Sequence, residues 1–151
     1  MMTRLSVLFS LNLAVAAVPA TAASRAADMQ VSVVVVARTI LTVDQQPATV
    51  QVTAGDVARG YLDLPQAIAF RIRSNAANGY TVQVGPISTP FTRAEVTWDR
   101  IVMVVSSDST SVRQQYQPGT TNGVLGVRLI LAPNTVPGSY PFPIQLTAAS
   151  L

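Results

Sequence analysis

Apolar and polar residues alternate with a period of two along most of this 151-residue chain, and the 3.6-residue period of an amphipathic helix is nearly absent. In the clearest stretch, Ile68, Phe70 and Ile72 point to one side of an extended chain. Arg71 and Arg73 point to the other side. This pattern predicts a strand with one buried face and one exposed face.

Other strands are predicted where β-branched residues recur between turn signals. The stretch 95–105 is consistent with one strand broken near Asp99 or with two short strands. Asp56 is expected to cap a single helical turn, 57–59, which ends at Gly60. The remaining predicted strands are residues 39–43, 49–53, 80–84, 124–132 and 140–148.

Turn residues predict how these strands connect. The Asn-Gly pair in the turn 75–79 favours a tight hairpin. Pro137 and Gly138 predict a type II turn. Pro141 and Pro143 cannot donate hydrogen bonds to a neighbouring strand, so the last strand is expected at the edge of a sheet for part of its length.

Residues 30–37, with the sequence QVSVVVVA, are predicted to form the first strand. Its valines fall on both faces, so both faces must be covered. We expect this strand to lie inside its own domain; the alternative is addition to an exposed sheet edge of another copy. The candidate assembly strand therefore comprises Val31, Val33, Val34, Val35 and Val36.

About seven short strands, with turns every 8–12 residues, predict an all-β fold of the immunoglobulin-like antiparallel β-sandwich type. The main rival is a small barrel. Residues 23–151 are long enough for one domain with one hydrophobic core. Trp98, the only tryptophan, is expected in that core.

Residues 1–22 have the features of a secretory signal peptide. Arg4 gives a positive start, residues 5–18 are mostly apolar, and the small residues around Ala22 form a cleavage site. The apolar stretch is shorter than the roughly 20 residues that cross a bilayer. We expect an exported protein, located in the periplasm, on the cell surface or outside the cell, whose mature chain is not inserted in a membrane.

The chain contains no His, no Cys and no Lys. Imidazole, thiolate and amine chemistry are therefore excluded, and no cofactor is expected. The arginines are scattered singly, so nucleic-acid binding is not expected. Paired carboxylates remain, but Glu95 and Asp99 would stand about 13 Å apart in one strand, beyond the roughly 5–9.5 Å used by glycoside hydrolases. A carboxylate-dependent glycan hydrolase is thus only a remote alternative to a protein without enzymatic activity.

Residues 106–123 form a long polar segment rich in Ser, Thr, Gln and Gly. Tyr116 lies there among amide side chains, a combination typical of surfaces that contact proteins or glycans. An extracytoplasmic binding module for a glycan or protein is therefore an alternative function. The candidate binding loop comprises Gln114, Gln115, Tyr116 and Gln117.

Two local motifs resemble exported bacterial immunoglobulin-like domains: the run Pro-Gly-Ser-Tyr at 137–140, and the strand–turn–strand in which Ser-Asn at 74–75 precedes Gly-Tyr at 79–80. Within that group the chain is distantly similar to chaperone–usher fimbrial subunits. The resemblance implies a structural subunit whose N-terminal extension, here residues 29–40, completes the sandwich of a neighbour. Self-association or a protein partner is therefore expected. Many such subunits contain a disulfide, and this chain has no Cys.

Overall fold

The computed structural model describes residues 30–151, and residues 34–151 form one compact unit. The predicted signal peptide and its cleavage site lie outside the described residues. Within 30–151 the chain forms ten strands and one short helix: β1 Thr39–Gln45, β2 Thr49–Val52, α1 Ala54–Arg59, β3 Tyr61–Ser74, β4 Tyr80–Val84, β5 Phe91–Trp98, β6 Ile101–Val105, β7 Thr110–Gln114, β8 Thr120–Leu131, β9 Gly138–Pro141 and β10 Leu146–Ser150.

The strands form antiparallel sheets around one core. The largest sheet has the order β1-β3-β8-β5-β6, a second has the order β10-β4-β7, and β2 pairs with β9. Alternate residues of each large sheet are buried and apolar, as the period of two requires. The all-β sandwich predicted from the sequence is confirmed.

The core is packed tightly around Phe70 of β3. Its ring meets Trp98 of β5 edge to face, with ring centroids 5.2 Å apart, and Trp98 is only 3% exposed. The predicted core position of Trp98 is therefore confirmed. Gly123 of β8 lies under the same ring, where an added Cβ would stand 2.3 Å from the Phe70 Cζ atom. The close approach of β8 to this ring depends on the missing side chain.

The helix α1 begins one turn earlier than predicted, and its N-cap is Thr53 rather than Asp56. Thr53 Oγ1 accepts a hydrogen bond from the Asp56 N–H (3.2 Å), and Asp56 Oδ2 accepts one from the Thr53 N–H (2.9 Å). This reciprocal capping box satisfies two backbone donors of the first turn. The helix ends at Gly60, as predicted, with φ of 79°. In the described part of the chain no helix is long and apolar enough to cross a membrane.

The turn after β3 connects the two sheets instead of closing a hairpin. β3 belongs to the five-stranded sheet and β4 to the three-stranded sheet, so the hairpin predicted from the Asn-Gly pair is wrong. Gly79 still has a positive φ of 92°, and an added Cβ would stand 2.3 Å from the Gln114 carbonyl oxygen. The glycine is needed for this close approach of β4 to β7, which the sequence pattern could not reveal.

The type II turn lies four residues earlier than predicted. The Thr135 N–H donates to the Ala132 carbonyl at 3.3 Å, and Asn134 takes the positive φ of 66°. Gly138, which was expected in the turn, begins β9 instead. Asn134 tolerates the left-handed conformation better than most residues, which explains the earlier position.

Two of the longer predicted segments are divided. Asp99, with φ of 51°, separates β5 from β6, so the alternative of two short strands is correct. The segment 140–148 is split into β9, which pairs only with β2, and β10, an edge strand. The edge position predicted from the two prolines is thus confirmed for both parts.

The first strand predicted at residues 30–37 is not formed. Residues 30–38 belong to no strand, and their valines are exposed. Within the described chain the backbone of residues 36–38 is hydrogen-bonded only by Asn75, and none of the strands described in residues 30–151 pairs with the segment. The expectation that this strand lies inside its own domain is therefore wrong.

Candidate assembly site

The exposed valine segment, residues 31–36, forms a continuous apolar surface in the described part of the chain. Val31, Val33, Val34, Val35 and Val36 are each 73–84% exposed. Isolated exposed apolar side chains are ordinary, but a continuous row of them marks an interaction surface. β-branched residues also favour an extended backbone, so the composition of this segment suits a strand.

An unpaired sheet edge lies along β10. The Gly85 N–H donates to the Gln145 carbonyl, and the Leu151 N–H donates to the Gly79 carbonyl. Because the direction of backbone groups alternates along an antiparallel strand, the odd-numbered residues of β10 face β4. The backbone groups of Leu146, Ala148 and Ser150 therefore point away from the sheet, and no backbone bond reaches them from the rest of residues 30–151.

The core is incompletely covered on this side of the sandwich. Leu41 of β1 and Leu146 of β10 pack against the core but are only half-buried, and Val43 of β1 is 38% exposed. On the opposite side, Met103 and Val105 of β6 are buried. The side between β1 and β10 thus has half-buried apolar side chains that additional apolar side chains could cover.

The candidate binding loop named from the sequence is divided between a strand and a connection. The polar segment 106–123 is not one loop, because β7 and the start of β8 lie inside it. Gln114 ends β7 and pairs with Tyr80, whereas Tyr116 is 44% exposed in the connection to β8. Of the candidate binding loop, Gln115, Tyr116 and Gln117 therefore lie in the connection between β7 and β8, whereas Gln114 belongs to β7.

The carboxylates singled out in the sequence line an open depression of about 640 Å³ together with Asp63. Asp99 lies in the turn after β5, so it does not share a strand with Glu95. Glu95 is ion-paired with Arg93 at 3.3 Å, and Asp63 with Arg128 at 2.7 Å. The hydrogen bond to Asp63 raises the pKa of Arg128 above its usual range. Glu95 and Asp63 are therefore explained by ion pairs on a sheet face.

The pairing of Asp63 with Arg128 was not foreseen, because it depends on the register between β3 and β8. The open edge of β10 had one signal in the sequence, the prolines that precede it.

Among residues 30–151 no group of three or more acidic residues is placed to hold a metal ion. No family model, no curated protein and no solved structure matches the chain.

Proposed function

We propose that this protein is an exported structural subunit without enzymatic activity, and that its copies join when residues 30–37 of one copy complete the sandwich of another. The proposal rests on one observation: the valines of this segment are 73–84% exposed and form no strand within their own chain. Such assembly would resemble that of chaperone–usher fimbrial subunits with immunoglobulin-like domains. It accounts for a segment that is strongly apolar and yet uncovered.

One face of the segment fits the incompletely covered core better than the other. In an extended strand Val31, Val33 and Val35 share one face. The opposite face is interrupted by Ser32. We therefore assign the face with three valines to the side of the sandwich where β1 runs beside β10, where it would cover half-buried apolar side chains.

The gain from apolar burial and the cost of association are of similar size. Burying three exposed valines contributes about 5–9 kcal/mol, and forming a complex costs about 4–15 kcal/mol. The additional stabilisation comes from main-chain hydrogen bonds to the outward backbone groups of Leu146, Ala148 and Ser150. The free edge of β10 is therefore as necessary as the valines.

The donor segment is tested with two neighbouring substitutions that differ only in the face they alter. Val33→Asp places a charge on the inserted face, and Val34→Asp places it on the opposite face. Both positions are exposed in the single copy, so both variants should melt like the wild-type monomer. We expect size-exclusion chromatography with light scattering to show assemblies for wild type and Val34→Asp, and monomers for Val33→Asp. Equal behaviour of the two variants would contradict the proposal.

The acceptor edge is tested with proline. Ala148→Pro removes an N–H that points away from β4, so the domain should fold while strand addition is blocked. Ala149→Pro is the matched control, since it removes an N–H that faces β4 and should lower the melting temperature. The Val33→Asp variant still has an unaltered β10 edge, and the Ala148→Pro variant still has an unaltered segment 30–37. A mixture of these two variants should yield heterodimers, although neither assembles alone; failure of the mixture to pair would reject β10 as the acceptor.

A further inference from the structure

Asn75, the first residue after β3, holds the base of the valine segment through three hydrogen bonds. Its backbone N–H donates to the Arg38 carbonyl at 3.1 Å, and its Oδ1 accepts from the Arg38 N–H at 2.5 Å. Its Nδ2 donates to the Val36 carbonyl at 3.0 Å. Two of these bonds come from the side chain, so one asparagine fixes the backbone at the point where the segment joins β1.

The relative direction of β1 and β10 determines how the valine segment could reach β10 of its own copy. Thr39 Oγ1 lies 3.0 Å from Ser150 Oγ, and Gln46 Nε2 donates to the Ile144 carbonyl at 3.1 Å. The start of β1 therefore lies beside the end of β10, and the two strands run in opposite directions. To pair with the β10 edge of its own domain, the segment would have to reverse direction between Val36 and Thr39.

We propose that Asn75 is a positioning residue that prevents residues 30–37 from folding back onto β10 of the same copy and so leaves them available to another copy. The reversal would have to take place at the residues that Asn75 binds. Breaking its bonds is therefore a requirement for self-pairing. This inference rests on the assembly proposed above. It explains why the segment would pair with another copy rather than with its own.

The test compares Asn75→Ala with Asn78→Ala in protein produced from the full-length gene. Asn78 lies in the same turn, and only its backbone carbonyl takes part in a described hydrogen bond, from Arg113. Loss of two side-chain hydrogen bonds should raise the ratio of self-paired to open chains about tenfold. We expect Asn75→Ala to increase the monomer fraction in light scattering, while Asn78→Ala matches wild type.

The melting temperature of the monomer separates positioning from a merely structural role. A self-paired monomer covers its own β10 edge, so the Asn75→Ala monomer should melt above the wild-type monomer, and adding Val33→Asp should abolish this gain. Asn75→Asp retains the acceptor for the Arg38 N–H but loses the donor to Val36, and its effect should be intermediate.

The inference is overturned if Asn75→Ala assembles like wild type, or if its monomer is less stable than the wild-type monomer. Failure of the wild-type protein to assemble in the same experiment would instead overturn the proposed function, and this inference with it. The two failures are distinguished by the wild-type sample alone.

Discussion

Replacing Gly123 by alanine tests how tightly the core is packed around Phe70. The added Cβ would stand 2.3, 2.6 and 3.0 Å from three atoms of the Phe70 ring, where contacts of at least 3.4 Å are ordinary. The ring is 1% exposed and lies against Trp98, so it cannot move without disturbing other core side chains. Alanine should therefore destabilise the domain, although it needs only one additional methyl group.

The expected size of the effect combines two opposing contributions. Overpacking a core costs about 1–3 kcal/mol, whereas replacing glycine reduces the entropy of the unfolded chain and stabilises by about 0.4–1 kcal/mol. The net loss is about 1–2 kcal/mol, which corresponds to a decrease in melting temperature of about 3–10 °C for a domain of this size. Thermal and urea unfolding followed by circular dichroism would measure it.

Gly85→Ala is the matched control, because its Cβ would make only ordinary contacts of 3.5 and 3.6 Å with Gln145. Its melting temperature should be unchanged or slightly raised. A double-mutant cycle with Phe70→Leu should show that Gly123→Ala costs at least about 1 kcal/mol less once the ring is gone. If Gly123→Ala proves as harmless as Gly85→Ala, the packing of Phe70 against β8 is not as described.

Three further predictions concern the helix cap and the surface charges. Thr53→Ala removes the N-cap of α1 and should cost about 0.5–2 kcal/mol in urea unfolding. Hydrogen bonds from Thr53 hold the pKa of Asp56 below its usual 3.8, so their contribution is present above about pH 4 and is lost as the pH falls through the folded-state pKa. Asp56→Asn should therefore reduce the difference in melting temperature between pH 7 and pH 3; an unchanged difference would contradict this. Asp63→Asn breaks an exposed ion pair with Arg128, so the melting temperature should stay close to that of wild type.

The buried faces of the sandwich could be predicted because alternation is a local property of the sequence. Ile68, Phe70 and Ile72 are buried and Arg71 and Arg73 are exposed, as their spacing indicates. In a strand the backbone geometry alone decides which side chains share a face, so one stretch of sequence is sufficient to predict which of its residues are buried. The same reasoning led to the edge position of the last strands, since a proline affects hydrogen bonding at its own position.

Features that depend on partners distant in the sequence could not be predicted in this way. The strand pattern of residues 30–37 is real, but whether a strand forms depends on pairing with a sheet edge, which the local pattern does not reveal. The roles of Gly79 and Gly123 arise from approaches to Gln114 and Phe70, which local patterns do not reveal. The use of Asn75 as an anchor likewise requires the register between β1 and β3.

The central position of β8 in the largest sheet has a consequence for when the protein can fold. β8 pairs with β3 on one side and with β5 on the other, and Tyr61 finds its partner only at Ile130. The pairings of β8 with β3 and with β5 cannot form before the last quarter of the chain is present, and such long-range pairings form slowly. The period before β8 is available is therefore the one most exposed to aggregation.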